Sequence, residues 1–420
     1  MQRATNYHPQ RRATELWWLK PGWIVLAAIV PVYVSFLAFD FSREVPTTYI
    51  PSPLYFWGLA LLLILALGTT FGGQIDLARR HHVGVLVPRW VAWGLLLATL
   101  VGYAVWFHPL VLQPQLILDV IGGGRSNVRD QVKTIPPWTT MTQFGCAFAV
   151  AYAIRAGNGH TGLGERLGLA AVFLLALFRS VVWNERLAFI EVAACYTVAM
   201  LAYYRFSAPL TFRLASLLPV IAPLALYLVF TATEYFRSWE FYRQYYESIW
   251  QFSYDRLTAY YAVASNNGIG LLTESVRWPS YDGSYVFQWA YPRPEEDSSN
   301  FLRTVAQYDY KVFLENYARP ELNNPSGIFV IVYDVGYLGS ALYFLLVGVL
   351  IGIAYRAFRQ GHLGGVLFYP TCVMFLIELL RFNYFAASRF VPIVAALVLI
   401  LFSAHRRPVW RMPYYARGAS

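Results

Sequence analysis

Apolar residues fall along this chain in ten long runs, each closed by polar or charged positions. Their approximate bounds are 22–41, 53–71, 90–107, 140–154, 167–183, 187–204, 214–231, 327–354, 363–381 and 390–404. A helix needs about 20 apolar residues to cross the hydrocarbon core of a bilayer. The pattern therefore predicts an all-α polytopic membrane protein of about ten spans, the fourth, fifth and tenth being short. It divides the chain into an N-terminal tail (1–21), seven spans with a loop at 108–139 (22–231), a large loop (232–326), three spans (327–404) and a C-terminal tail (405–420).

The large loop has its own texture. Its 95 residues include 23 aromatics, but only three leucines before residue 300: Leu257, Leu271 and Leu272. Connections of this length are usually functional. Within it, Tyr235, Trp239, Tyr242, Tyr246, Ile249 and Trp250 recur at spacings of three and four, while Arg237, Glu240, Arg243 and Glu247 fall on another face. That spacing predicts an amphipathic helix over 234–263, suited to headgroup depth. Ser298-Ser299-Asn300 offers a cap for a later short helix.

Charge sorts the loops. With ten spans both tails lie on one side, together with 72–89, 155–166, 205–213 and 355–362. That side carries 17 of the 33 Lys/Arg and three of the 23 acids (Glu15, Asp76, Glu165), a balance of 17 − 3 = +14. The rest of the chain holds 16 bases and 20 acids, or −4. Basic loops stay in the cytoplasm, so both termini are expected there, and the net +10 is a topology signal that calls for no nucleic acid. Composition agrees: 57% of residues are hydrophobic and 13% charged, against about 25% charged in soluble domains. A soluble enzyme, a disordered tail and a disulfide-built domain are excluded. Cys146, Cys195 and Cys372 lie in apolar runs without CxxC spacing. Residues 1–20 are polar and basic and do not read as a signal peptide.

Ionisable residues inside spans mark function by default, because charge in lipid is costly. They gather near the outer ends of three runs. Arg179 sits late in the fifth, Glu185 and Arg186 in the link that follows, and Glu191 further into the sixth. Glu378 and Arg381 close the ninth, and Arg389 opens the tenth. Arg179, Arg186, Arg381 and Arg389 thus share one depth, and four guanidinium forks suit a diphosphate. The plain alternative is snorkelling and local ion pairing, such as Glu378 with Arg381 at i, i+3. Glu185 suits a general base for a sugar hydroxyl, or else a counter-ion for Arg179 or Arg186. In the large loop, Asp255 is a second base and Arg256 a phosphate donor. Tyr260 and Tyr261 offer faces to sugar rings, and Asn266 and Asn267 offer amides to hydroxyls. The alternative there is an interfacial helix ended by an Asn-Gly turn at 267–268.

Two other patterns carry less. Gly122-Gly123-Gly124-Arg125-Ser126-Asn127-Val128-Arg129 lacks the Gly-Lys-Ser/Thr of a phosphate loop and reads as an outer turn bearing two arginines. No metal ligand set is predicted. There is no Asp-x-Asp, only His108 of seven histidines falls outside, and Glu295-Glu296-Asp297 reads first as a solvated acidic run.

The stretches RSVVWNERLAFIE (179–191), DRLTAYYAVASNNG (255–268), NNPSGIFVIVYDVGYLGSALYFLLVGVLIGIAYR (323–356) and RFNYFAASRF (381–390), with TMTQFG (140–145), resemble bacterial oligosaccharide repeat-unit polymerases of the Wzy type. The likeness covers most of the chain after residue 130 and lies in order and spacing rather than in one motif. It implies a GT-C-like glycosyltransferase of the bacterial cytoplasmic membrane, working without metal or other cofactor. Such an enzyme moves a growing glycan from undecaprenyl diphosphate to the non-reducing end of another lipid-linked repeat unit. By position, Arg179, Glu185 and Arg186 match the family's Glu-Arg segment, Arg256 its outer-loop helix, Asn323 and Asn324 its Asn-Pro-Ser approach, and Arg381 and Arg389 its last outer turn. The expected partners are the lipid-linked oligosaccharide and the bilayer, with room for a chain-length regulator. One departure stands out: the family's Arg followed eleven residues later by Gly is absent, since Arg125 leads to Pro136 and Arg129 to Thr140. Two rivals share parts of this pattern. A ligase uses the same donor, and a transporter of lipid-linked oligosaccharide would show internal repeats, which are not seen.

Overall fold

The computed structural model describes residues 11–40, 45–76, 85–116, 135, 137–183, 187–206, 208–275, 277–291, 305–319 and 322–406. They form a helical bundle. The main helices are α1 (Pro21–Ser35), α2 (Pro53–Gly72), α3 (Arg89–Leu112), α4 (Phe144–Gly157), α5 (Leu163–Val182), α6 (Leu187–Leu201), α7 (Pro209–Ser216), α8 (Leu218–Glu234), α9 (Ile249–Glu274), α10 (Val305–Tyr317), α11 (Phe329–Arg359), α12 (Leu363–Glu378) and α13 (Phe390–Ser403). Each apolar run holds a helix. Among the described residues, α2, α3 and α11 are by themselves long and apolar enough to cross a membrane, with mean hydropathies of 2.0, 1.9 and 2.1. A fourth candidate is bent by 46° between Pro209–Ile221 and Pro223–Glu234, where Pro223 removes a backbone donor. Helix α5 is also 20 residues long but carries Glu165, Arg166 and Arg179. Helices α1, α6, α12 and α13 are shorter apolar helices.

Helix α4 is the centre of one half. Every residue from Gly145 to Arg155 is buried, as expected of a helix that is apolar all round. Helices α3, α5, α6, α12 and α13 surround it. The other half is built on the packing of α2 against α11. Gly68 and Gly72 of α2 face Gly348 and Gly352 of α11. A Cβ at any of the four would stand less than 3.0 Å from backbone of the opposite helix. Each pair is a small-xxx-small motif, and two such motifs let the helix backbones meet.

Contacts sort the connections into two ends. At the tail end, Arg11–Arg12 pairs antiparallel with Arg205–Phe206, and Val85–Leu86 with His405–Arg406. The Trp17 and Trp18 indoles donate to the carbonyls of Ser216 and Ala215. Arg356 donates to the carbonyls of Gly73 and Gln74 and pairs with Asp76 at 2.8 Å. These are the basic segments that the charge count grouped together.

The loop end holds 45–52, 139–143, 275–291 and 379–389, and here three expectations change. The predicted helix over 234–263 is broken. A π turn (Tyr235–Trp239) and a short turn end near Tyr242, and α9 starts afresh at Ile249, capped by Ser248, whose hydroxyl accepts from the Gln251 N–H. The Asn-Gly turn at 267–268 does not form, for α9 runs on to Glu274. Tertiary contacts override the turn propensity. Asn266, Asn267 and Gly268 are buried, and a side chain at 268 would strike the Pro325 carbonyl and Phe329. Helix α3 passes His108 and ends at Leu112, past the expected span end. The capping run 298–300 and the turn 122–129 lie outside the described residues.

Candidate functional site

Helix α5 brings Arg179 to the loop end, where it is buried. Its guanidinium donates to the Thr142 hydroxyl at 2.9 Å and lies over the Trp106 ring, 4.4 Å from the centroid. Trp106 in turn packs on Trp183, centroids 5.0 Å apart. Both indole N–H groups are buried without an acceptor. Tyr103, Thr142, Gln143, Cys146, Ala188, Glu191 and Val192 close around Arg179 and leave no room for a water molecule. This cluster meets the start of α4, which the turn Thr139–Gln143 continues without a break.

Glu191, 1% exposed on α6, carries the cluster onward. It pairs with Arg389 at 3.3 Å, across 198 residues of sequence. Arg389 opens α13 and acts electrostatically on Glu378 and Arg381 at the end of α12. Glu378 and Arg381 pair at 2.9 Å, so the local i, i+3 alternative read from the sequence is present. The pairing does not hide Arg381, whose guanidinium also lies over the Tyr260 ring at 4.8 Å. Arg256 is one turn before Tyr260 on the same face of α9, buried, and lies 5.5 Å from the Tyr242 ring centroid. One continuous path thus runs from Arg179 through Glu191, Arg389, Glu378 and Arg381 to Tyr260.

The remaining predicted residues have separate fates. Glu185 and Arg186 lie outside the described residues, as do Arg125, Arg129 and Glu295-Glu296-Asp297. Asp255 and Tyr261 are half-buried on α9, and Tyr261 acts electrostatically on Arg381. The Asn266 and Asn267 amides are engaged within the fold. Asn266 accepts from the Tyr49 N–H at 2.7 Å and donates to the Thr47 carbonyl at 2.9 Å. Asn267 donates to the Leu322 carbonyl at 2.7 Å and, at 3.4 Å, to that of Asn324. The Asn323 carbonyl accepts from the Tyr310 hydroxyl at 2.7 Å. Asn266 thus ties the 47–49 segment to α9, Asn267 ties 322–324 to α9, and only the backbone carbonyls of Asn323 and Asn324 take part. No group of three or more His, Cys, Asp or Glu able to hold a metal ion comes together among the described residues.

Two partners were not singled out from the sequence, although Asp334, a charge inside the run 327–354, carried the signal that marks such residues. Trp106, within an apolar run, reads as an ordinary lipid-facing or core aromatic. Asp334 sits just before Gly336, where α11 breaks with φ 71°. Its carboxylate is buried and accepts the N–H groups of Tyr285 and Val286, both at 2.7 Å, so it fastens segment 275–291 to the bundle.

No family model, curated protein or solved structure matches this chain. The sequence and structure define a mostly helical protein with apolar helices of membrane-crossing length.

Proposed function

We propose that the chain is a ten-span, GT-C-like glycosyltransferase that polymerises lipid-linked repeat units on the outer face of the bacterial cytoplasmic membrane, with both termini in the cytoplasm. The observation that carries the proposal is the joining of Arg179, Arg389 and Arg381 into one path at the end of the bundle opposite the basic tails. A lipid diphosphate has its phosphates at headgroup depth, where such a path would meet them. Guanidinium forks can neutralise the charge that develops on the departing diphosphate without a metal. Arg186, beside Glu185 in sequence, is assigned to the same site.

In this reaction the acceptor is a sugar hydroxyl at the non-reducing end of one lipid-linked repeat unit. Glu185 takes its proton, with Asp255 the second choice. The freed oxygen bonds to the anomeric carbon of the growing glycan, and the bond from that carbon to the diphosphate oxygen breaks. Undecaprenyl diphosphate leaves with the electron pair, held by Arg179, Arg381 and Arg389. Tyr260 and Tyr261 flank the glycan end of the site, and Arg256 is a further phosphate donor. The Asn266 and Asn267 amides are engaged within the fold, whereas Asn323 and Asn324 are assigned to the glycan.

Reconstitution tests the proposal. Purified protein in liposomes receives undecaprenyl-diphosphate repeat unit with EDTA and no nucleotide, and products are resolved on a gel. A ladder of lengths is expected. One added block on a foreign acceptor would make the protein a ligase, and movement of substrate without lengthening would make it a transporter.

A further inference from the structure

We infer that the segment 277–291 is a membrane anchor: Tyr281, Phe287 and Trp289 lie among the lipid headgroups of the leaflet at the loop end, beside α11. The inference needs α2 and α11 to cross a bilayer. It goes beyond the glycosyl transfer proposed above and does not depend on it. Four observations carry it.

The first is height. Arg356 of α11 is fixed at the tail end by its bonds to Gly73, Gln74 and Asp76. The helix breaks at Gly336, where φ is 71°. The interval of 356 − 336 = 20 residues rises about 30 Å at about 1.5 Å per residue, the thickness of a hydrocarbon core. The break therefore stands where hydrocarbon gives way to headgroups. The second is attachment. The Ser280 and Tyr281 N–H groups donate to the Tyr333 and Asp334 carbonyls at 2.9 Å each, and the Tyr285 and Val286 N–H groups donate to the Asp334 carboxylate at 2.7 Å each. Four bonds thus hold 280–286 at the height of the break.

The third is continuity with a lipid-facing surface. Leu338, Leu342, Leu346 and Leu350 are exposed at intervals of four, which puts them in one stripe along α11. Leu338, two residues from the break, is 85% exposed. Tyr337 beside it packs edge-on against both Trp278 of the segment and Trp57 of α2, with centroids 5.4 Å apart in each contact. The stripe thus runs up to the segment itself. The fourth is chemistry. Residues 278–291 include six aromatics and a single charge, Asp282. That carboxylate is engaged locally, accepting from the Ser280 hydroxyl at 3.1 Å and the Ser284 N–H at 2.9 Å. Tyr281, Phe287 and Trp289 are 74%, 53% and 50% exposed. Large rings bared without charges are poorly matched to water, and Tyr and Trp are favoured at headgroup level. A sugar-stacking platform would use the same rings, but the height of the segment and the leucine stripe favour the bilayer.

Depth-dependent quenching tests the inference on the full-length protein in nanodiscs of phosphatidylethanolamine and phosphatidylglycerol. Cys146, Cys195 and Cys372 are buried, so a maleimide dye enters at one introduced cysteine. Trp289→Cys carries the dye. Leu346→Cys, 346 − 336 = 10 residues below the break or about 15 Å, is the midplane reference. The lipids are brominated either near the headgroup end of the acyl chain or near its methyl end. At 289 the shallow bromines are expected to quench about twofold more than the deep ones, with little quenching by aqueous iodide; at 346 the order reverses. Where Trp289→Cys does not fold, Phe287→Cys carries the dye with the same expectation. Strong quenching by iodide and none by brominated lipid at 289 overturns the inference. Stronger shallow than deep quenching at 346 also overturns it, because the height argument then fails. Protection from iodide that appears only when undecaprenyl-diphosphate repeat unit is added makes the rings a glycan surface and overturns it too. The ladder assay keeps the two proposals apart. A protein that makes polymer with position 289 in water keeps the polymerase and loses the anchor. One that makes no polymer with 289 at headgroup depth does the reverse.

Discussion

Two arginines at opposite ends of the bundle, one buried and one half-buried, carry the same charge and do different work. Arg155, at the tail end, uses every nitrogen of its guanidinium. Nε bonds Glu165 at 2.9 Å, Nη1 the Val87 carbonyl at 2.6 Å, and Nη2 the His160 carbonyl at 2.8 Å. It joins α4, α5 and the segment before α3, with only 6% of its side chain exposed. Arg381, at the loop end, has one carboxylate bond, an aromatic face and a buried Nε without an acceptor. A saturated arginine is a clasp, whereas one left with donors to spare is a place for something to bind. Exposure and the state of the donors both separate the two cases.

The contrast predicts opposite phenotypes, and the largest falls on the clasp. Glu165→Ala strands the Arg155 charge in the interior and should cost about 3–5 kcal/mol of stability. Thermal unfolding checks this, and polymer yield should fall only as far as the folded fraction does. Arg179→Ala and Arg381→Ala should do the reverse. Each should lower polymer formation by about 10²–10³-fold, the usual effect of removing one donor to a developing negative charge. Protein level and unfolding temperature should change little by comparison. Normal polymer from both variants would place the diphosphate elsewhere. Arg79→Ala, in the basic segment between α2 and α3, should leave yields unchanged.

A smaller effect is expected where a carboxylate rather than an arginine is saturated. Asp334→Asn keeps the shape but removes the charge that receives the Tyr285 and Val286 N–H groups. It should cost about 1.5–3 kcal/mol locally, seen as faster proteolysis within 277–291 before the bundle unfolds. The smallest effect is alkaline. Burial pushes the Tyr285 phenol well above the usual tyrosine range. The folded protein therefore keeps that proton longer than the unfolded chain does. Its contribution is complete below about pH 10, the ordinary tyrosine value, and is lost as pH rises above it. Tyr285→Phe should flatten the fall in unfolding temperature above pH 10.

Much of this was legible in the sequence because the bilayer constrains helices so strongly. Each apolar run holds a helix, and the segments grouped by charge are those tied together at the tail end. The arginines of the site could be listed because charge in an apolar run is rare. Their partners could not be listed. Glu191 and Arg389 are 198 residues apart, and nothing local in either stretch specifies the other. The Asn-Gly pair at 267–268 misleads for the reverse reason. Its local preference is for a turn, but the Asn267 amide bond to Leu322, the Asn266 bonds to Thr47 and Tyr49 just before it, and the close approach of Phe329 hold it helical. The paired glycines of α2 and α11 were readable as small-xxx-small motifs, though only the packing shows that they face each other.

That glycine seam also sets a schedule for biogenesis. The ribosome completes Gly72 long before it reaches Gly348, a gap of 348 − 72 = 276 residues. At about 5–20 residues per second, α2 waits roughly 15–55 seconds for the helix that covers its glycine face. During that interval the bared backbone surface is an assembly intermediate, open to any helix with a matching groove. A chain cut short before Gly348 would keep α2 in that unfinished state, and the missing C-terminal piece, supplied separately, would find its place along the same line of glycines.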